Sequence, residues 1–292
     1  MDLSFKNRSR SFLNWTLLVT IGSLLLAGCL PDPLPVEELP VLKPKITVSS
    51  QIIPQQGLVV FLTRSIGALD ASDDSNPQTL LNQVVITDAL VTLHYLGIVD
   101  TLTSLGSGLY GGIAEVEWQE RLLYELRVSS PELGEVNAFA EVQTPISFAT
   151  ADARLFVTEF DSLAEITYSV QDPSGPNYYM INVQQISSEQ SLTSLLDPDV
   201  FTYLLEDNVF DGQLYEDQFR VFFRDFSEGD TVSVQLANIQ KKYYDFLKLR
   251  NDNRTSITDF ASEPVNYPTN VNGGLGFFNL HLPDIRLFLL EE

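Results

Sequence analysis

The sequence predicts a mainly β protein. An N-terminal immunoglobulin-like β-sandwich is expected over residues 45–145, followed by a β-rich C-terminal domain over 146–292 with one helix. Three observations lead there. Apolar and polar residues alternate at period two in many short runs, as half-buried strands require. Turn-forming clusters separate those runs at the close spacing of a sandwich. One segment alone places its apolar residues at helical spacing.

The first 28 residues are expected to leave the mature chain. Lys6, Arg8 and Arg10 precede a mostly apolar run from Phe12 to Leu26, the order of a secretory signal. The run ends in Leu26-Ala27-Gly28-Cys29, which closes on the only cysteine of the chain. That end resembles a bacterial lipobox. The resemblance implies lipid attachment to the Cys29 sulfur and cleavage just before it. An ordinary signal peptide or a single anchor helix is the alternative, and the cleavage pattern argues against the helix. A lipidated Cys29 leaves no thiol for a disulfide, so stability must come from apolar burial. Residues 29–44 carry prolines at 31, 33, 35, 40 and 44. Proline fixes φ and removes donors, so this stretch reads as an extended tether. Glu37 and Glu38 within it fit a surface-export signal or a solvated spacer.

From Lys45 onward the chain reads as strands. Ala89, Val91, Leu93 and Tyr95 share one face, with Thr92 and His94 opposite. Leu122, Tyr124, Leu126 and Val128 alternate with Leu123, Glu125 and Arg127. Turns are expected at Ala71–Pro77, Gly106–Gly112 and Ser129–Gly134. Pro145 marks the domain boundary. Beyond it Ile166, Tyr168 and Val170 alternate, then Tyr179, Ile181 and Val183, then Val232, Val234 and Leu236. Ile239, Tyr243, Phe246, Leu247 and Arg250 break this period and predict a helix over 240–251, with Asn238 as N-cap. Its aromatic face is expected to be core packing.

The stretch Phe260-Ala-Ser-Glu-Pro-Val-Asn-Tyr-Pro-Thr-Asn-Val-Asn-Gly-Gly-Leu-Gly-Phe-Phe278 follows that helix. The two together resemble a Bacteroidota-type lipoprotein family catalogued as domain of unknown function 4249. The positions that carry the resemblance are Tyr243, Tyr244, Phe260, Glu263, Pro264, Asn270, Gly273, Gly274, Gly276 and Phe277. Thr87–Leu93, Gly108–Tyr110, Tyr124–Val128 and the turn Asp207–Gly212 match more weakly. The resemblance implies a carboxypeptidase-regulatory-type sandwich and an outer-membrane lipoprotein found beside TonB-dependent receptors. It implies no reaction. The family's valine–glycine opening of the first strand is here Val48-Ser49-Ser50, which leaves that strand's register open.

Composition narrows the chemistry. The 292 residues hold 17 Lys+Arg against 39 Asp+Glu, a net charge of −22, and loss of the signal makes the balance more acidic. That disfavours nucleic acid and anionic lipid as direct partners, so membrane attachment falls to acyl chains. Gly273, Gly274 and Gly276 lack the lysine and hydroxyl residue of a phosphate loop and are read as a structural turn. His94 and His281 are the only histidines, and neither adjoins a nucleophile motif or a zinc pattern. No cofactor is expected. Oxygen ligands for a hard cation cluster in a loop at Asp70–Asn76, and Asp207, Asp211, Asp252 and Asn253 lie in other loops, none with the EF-hand pattern; solvated loops are the favoured reading, and no metal is assigned. Trp118, Tyr110 and Tyr178 would stack on a carbohydrate if exposed; core packing is favoured.

These readings point to a non-enzymatic binding or accessory module of a TonB-dependent uptake system, held by a lipid anchor, with a carbohydrate or other nutrient as ligand. A structural envelope or adhesion lipoprotein is the alternative. A carboxylate-based hydrolase is the remote one, because a glycosidase needs only two acids at a set separation.

Overall fold

Period-two burial sets the first sheet. The computed structural model describes residues 43–53, 57–66, 77–112, 116–186, 200–222, 225–254 and 266–291. Leu26, Ala27, Gly28, Cys29, the expected tether as far as Leu42, the loop expected at 70–76, Phe260, Glu263 and Pro264 lie outside the described residues. The protein is mainly β. Strands β1 (Ile46–Ile53), β2 (Gly57–Arg64), β3 (Leu90–Tyr95), β4 (Ile98–Gly106), β5 (Leu109–Gly111), β6 (Leu123–Ser130) and β7 (Gly134–Glu141) belong to one sheet. Short β14 (Val271–Asn272) and β15 (Leu275–Phe277) complete it. The order is β14-β7-β6-β3-β4-β5-β2-β1-β15, so its two ends are neighbours in sequence. The arrangement is therefore barrel-like, and both ends of the sheet are tied by one turn instead of lying open.

Val91, Leu93, Tyr124, Leu126 and Val128 are all buried in this first core, on the faces their alternation requires. The core also takes Val271, Phe278 and Leu280, so the chain returns to it before adding the last strand of the second one. Strand β1 keeps a regular register with β2 from Ile46↔Arg64 to Ile53↔Gly57. Ser50 fits it because its Oγ donates to the Asn279 carbonyl and accepts from the Asn279 N–H, both at 2.8 Å.

Two departures from expectation lie in this unit. A helix, α1 (Pro77–Val84), begins at a proline, where the missing N–H costs nothing. The supposed turn at 106–112 holds β5, flanked by positive-φ Gly106, Ser107 and Gly108.

The second core lies between two sheets. Strands β8 (Phe148–Val157), β9 (Ser162–Gln171) and β12 (Leu214–Val221) form one, in the order β12-β9-β8. Strands β10 (Tyr178–Ile186), β11 (Val200–Glu206), β13 (Thr231–Asn238) and β16 (Asp284–Leu289) form the other, in the order β11-β10-β13-β16. Ile166, Tyr168, Val170, Tyr179, Ile181, Val183, Val232, Val234 and Leu236 fill the space between them.

Helix α2 (Lys241–Arg254) is longer than the expected 240–251. Asn238 does not cap it. Asn238 ends β13, and its side-chain N–H groups go to Thr144 O and Asn177 Oδ1. The Gln240 carbonyl instead accepts from Tyr243 and Tyr244 N–H. Tyr244 and Leu247 pack on Met180 and Ala237 of the four-stranded sheet and on Ile239 just after β13. Tyr243 and Phe246 contact Phe277, at ring centroid distances of 5.4 and 5.1 Å. The helix thus has two apolar contacts, one with each unit. No described helix is long and apolar enough to cross a membrane.

Candidate functional site

The glycine motif has a local physical cause. Gly273 and Gly276 have φ of +80° and +84°. A Cβ at Gly276 would lie 2.1 Å from Val48 O, and one at Gly274 would lie 2.6 Å from Ile46 O. Gly274 itself is not at positive φ; what it requires is space. These approaches let β15 pair in parallel with β1. Asn270 fastens the same turn. Its Nδ2 donates to Phe139 O and Phe278 O, and its Oδ1 accepts from Phe278 N–H. Tyr243, Asn270, Gly273, Gly274, Gly276 and Phe277 therefore meet around one closure, while Tyr244 packs against Met180 and Ala237. His281 sits behind it, stacked near Tyr243, with Asn279 Nδ2 at 2.5 Å from its Nδ1. Burial drives the His281 pKa down to about 4, and the Asn279 Oδ1 is buried without a partner.

A recess of about 220 Å³ opens in the first unit. Leu58, Leu93, Leu102 and Val116 supply its apolar wall, with Asp100, Thr101 and Gly112 completing the lining. Asp100 faces inward because it pairs with core residue Leu93 across β3 and β4. The Tyr95 hydroxyl donates to Asp100 Oδ2 at 2.7 Å. That bond, with burial, pushes the Tyr95 pKa up to about 12, as expected beside a charged acceptor. Tyr95 packs on Tyr124 at 5.3 Å, and Tyr124 on Trp118 at 5.1 Å. Among the described residues, Asp100 is the one carboxylate lining the recess.

The other polar clusters are built differently. Asp172, Asp207 and Asp211 bring carboxylate oxygens within 4.8 Å of one another, a spacing compatible with a hard cation. Backbone N–H groups of Gly212, Asn177 and Gly175 donate to them, and Tyr179 donates to Asp172. Asp207 is buried, not solvated as expected, and Asp252 and Asn253 lie in α2 instead of a loop. On the three-stranded sheet the buried Glu165 holds Arg154 on one carboxylate oxygen and Arg220 on the other. Burial opposes its ionisation, but the two guanidiniums outweigh that and lower its pKa. Tyr203, Tyr215 and Tyr168 hydroxyls converge on Asp217 Oδ2 at 3.0, 3.2 and 3.5 Å.

The aromatics weighed for carbohydrate stacking are occupied elsewhere. Tyr110 is buried and donates to Ile86 O, Trp118 packs on the first core, and Tyr178 lies between Tyr244 and Lys241. His94 bonds Thr92 on the outer face of β3, with Nε2···Oγ1 at 2.9 Å.

No curated protein matches the chain. Among solved structures, one titled "Cytokine receptor complex - Crystal form 1A" is similar at 10% identity, covering 83% of this chain and 95% of that one. Its TM-score is 0.23, too low to carry an argument. The profile of the family described as "Domain of unknown function (DUF4249)" matches residues 32–281, which include the glycine closure, the recess and the helix that touches both units. The chain belongs to that family.

Proposed function

We propose that this protein is an exported lipoprotein, anchored in the outer membrane through Cys29, that serves a TonB-dependent uptake system as a non-enzymatic binding and accessory module. The observation that carries the reading is the sequence Leu26-Ala27-Gly28-Cys29 at the end of an export signal, followed by a proline-rich tether and a β-rich body. A lipid on Cys29 fixes the chain at a membrane surface, and the tether gives the body reach. The strong negative charge favours protein or small-molecule partners over nucleic acid and anionic lipid.

Affinity purification from gently extracted membranes, with mass spectrometry of what is retained, tests the reading. A TonB-dependent receptor recovered in stoichiometric amount is the expected result. Recovery of the lipoprotein alone, with surface integrity or attachment lost on deletion, would replace it with a structural or adhesion role.

A further inference from the structure

We infer that the outer face of the three-stranded sheet, around Arg154 and Arg220, is a docking surface for a protein partner that presents an acidic side chain. The reasoning begins with register. Arg154 of β8 and Arg220 of β12 both stand opposite Glu165 of β9, so three charged residues form one row across the sheet. The row faces away from the second core, because Leu155, Ala164 and Val221, one position along each strand, are the ones buried in it. Glu165 is nevertheless only 1% exposed. Arg154 Nε and Nη2 both donate to its Oε1, and Arg220 Nε donates to its Oε2 at 2.7 Å. The Arg220 guanidinium also reaches across β9 to lie 3.6 Å from the Phe156 ring centre. Both guanidiniums are thus held in place at the surface, with side-chain exposures of 60% and 45%.

Two guanidinium charges over one carboxylate leave one positive charge uncompensated. Of the five N–H donors a guanidinium carries, Arg154 spends two on Glu165 and Arg220 one, so most remain for an incoming acceptor. Among the described residues no other acid forms an ion pair with either arginine, although Asp152 lies two residues from Arg154 on the same face. One further carboxylate balances the row. The chain as a whole carries −22, so this positive spot acts at short range, within the first contact layer. Side chains this exposed enclose little of a small molecule, whereas a protein surface covers both. Arginine and aromatic residues are what such surfaces use. The hairpin that carries the row ends in Phe160, 89% exposed, in a turn that Thr158 Oγ1 fixes by accepting from the Phe160 and Asp161 N–H groups. Guanidiniums already pinned by Glu165 lose little freedom on docking, which favours the contact.

This inference deepens the accessory-module reading by naming a surface that its protein partner would touch, and it rests on that reading only for the existence of a partner. Receptor copurification tests the accessory role separately, so either can fail while the other stands. The experiment is NMR of the full chain, following the arginine Nε–H signals while acetyl-Leu-Glu-Leu-amide, its glutamine counterpart or propionate is added. The Arg154 and Arg220 signals should shift saturably with the glutamate peptide, at least about threefold more tightly than with the glutamine peptide or propionate. The Arg127 signal, from an exposed arginine matched one to one with Glu125, should stay in place. Arg154→Gln should abolish the saturable shift at Arg220. The titration of the unaltered chain decides the matter if that variant does not fold. Equal response to the glutamine peptide, an equal shift at Arg127, or no shift at tens of millimolar would each overturn the inference. Propionate binding as tightly as the glutamate peptide would also overturn it, in favour of a small organic acid.

Discussion

Gly276→Ala should unlock the closure of the first unit. The variant adds one methyl group at a residue with φ of +84°, and that methyl would sit 2.1 Å from Val48 O. A carbon ordinarily approaches a carbonyl oxygen to about 3.3 Å, so β15 must retreat from β1 by about 1 Å. The parallel pairing there spans three residue pairs, Thr47↔Leu275, Val48↔Gly276 and Ser49↔Phe277. Losing two or three hydrogen bonds at about 1 kcal/mol each, plus about 1 kcal/mol for the left-handed backbone, gives a cost of about 3–4 kcal/mol. Gly97→Ala provides the internal control. Gly97 has φ of +80° with nothing within 4 Å of an added Cβ, so it should cost only the backbone component, about 1 kcal/mol. Urea denaturation of the chain from Cys29 onward, followed by Trp118 fluorescence, reads the first core directly, since Trp118 packs against it. If Gly276→Ala were no more destabilising than Gly97→Ala, the close approach would not be what the glycine serves.

Three further outcomes follow from the same structure. His281 binds its proton less readily when folded, at about 4 against 6.5 when unfolded. Its contribution to stability is full above pH 6.5 and is lost as pH falls toward 4, by about 3 kcal/mol in all; a pH series of melting temperatures should lose that slope in His281→Leu. Glu165→Gln leaves Arg154 and Arg220 without their shared carboxylate and should cost about 2–3 kcal/mol, since the arginines are half-exposed. Because the folded pKa of Glu165 is lowered, that contribution is present above the ordinary glutamate range and fades only as pH falls through the lowered value; chemical denaturation at neutral and acid pH checks both parts. Cys29→Ser should move the protein from the membrane fraction to the soluble fraction, with retention in the membrane contradicting the lipid anchor.

The strands were legible wherever one face of a sheet is buried. Tyr124, Leu126 and Val128 announce their direction because each polar neighbour points the other way. Strand β4 was hidden because Thr101, Thr103 and Ser104 give it little contrast, and because its inward phase contains Asp100. Read as a strand, that same phase is the signal for the recess: an acid two residues from buried Leu102 and opposite buried Leu93. Helix α1 is short and follows a polar cluster, so its eight residues carry too little periodicity to stand out. The helical spacing of α2 was clear, but its start was not, since Asn238 has the chemistry of a cap and is engaged by Thr144 and Asn177. The role of Gly274 depends on how near Ile46 comes from the far end of the chain, which only the fold reveals. The same holds for Asp172, which joins Asp207 and Asp211 through the β9–β10 connection and not through any local motif.

Intact mass analysis of the N-terminal peptide, taken from protein extracted from native membranes, tests the account most directly. A peptide beginning at Cys29 and carrying a thioether-linked lipid is the predicted result. A peptide beginning at Met1, or at any residue other than Cys29, with an unmodified cysteine would contradict it.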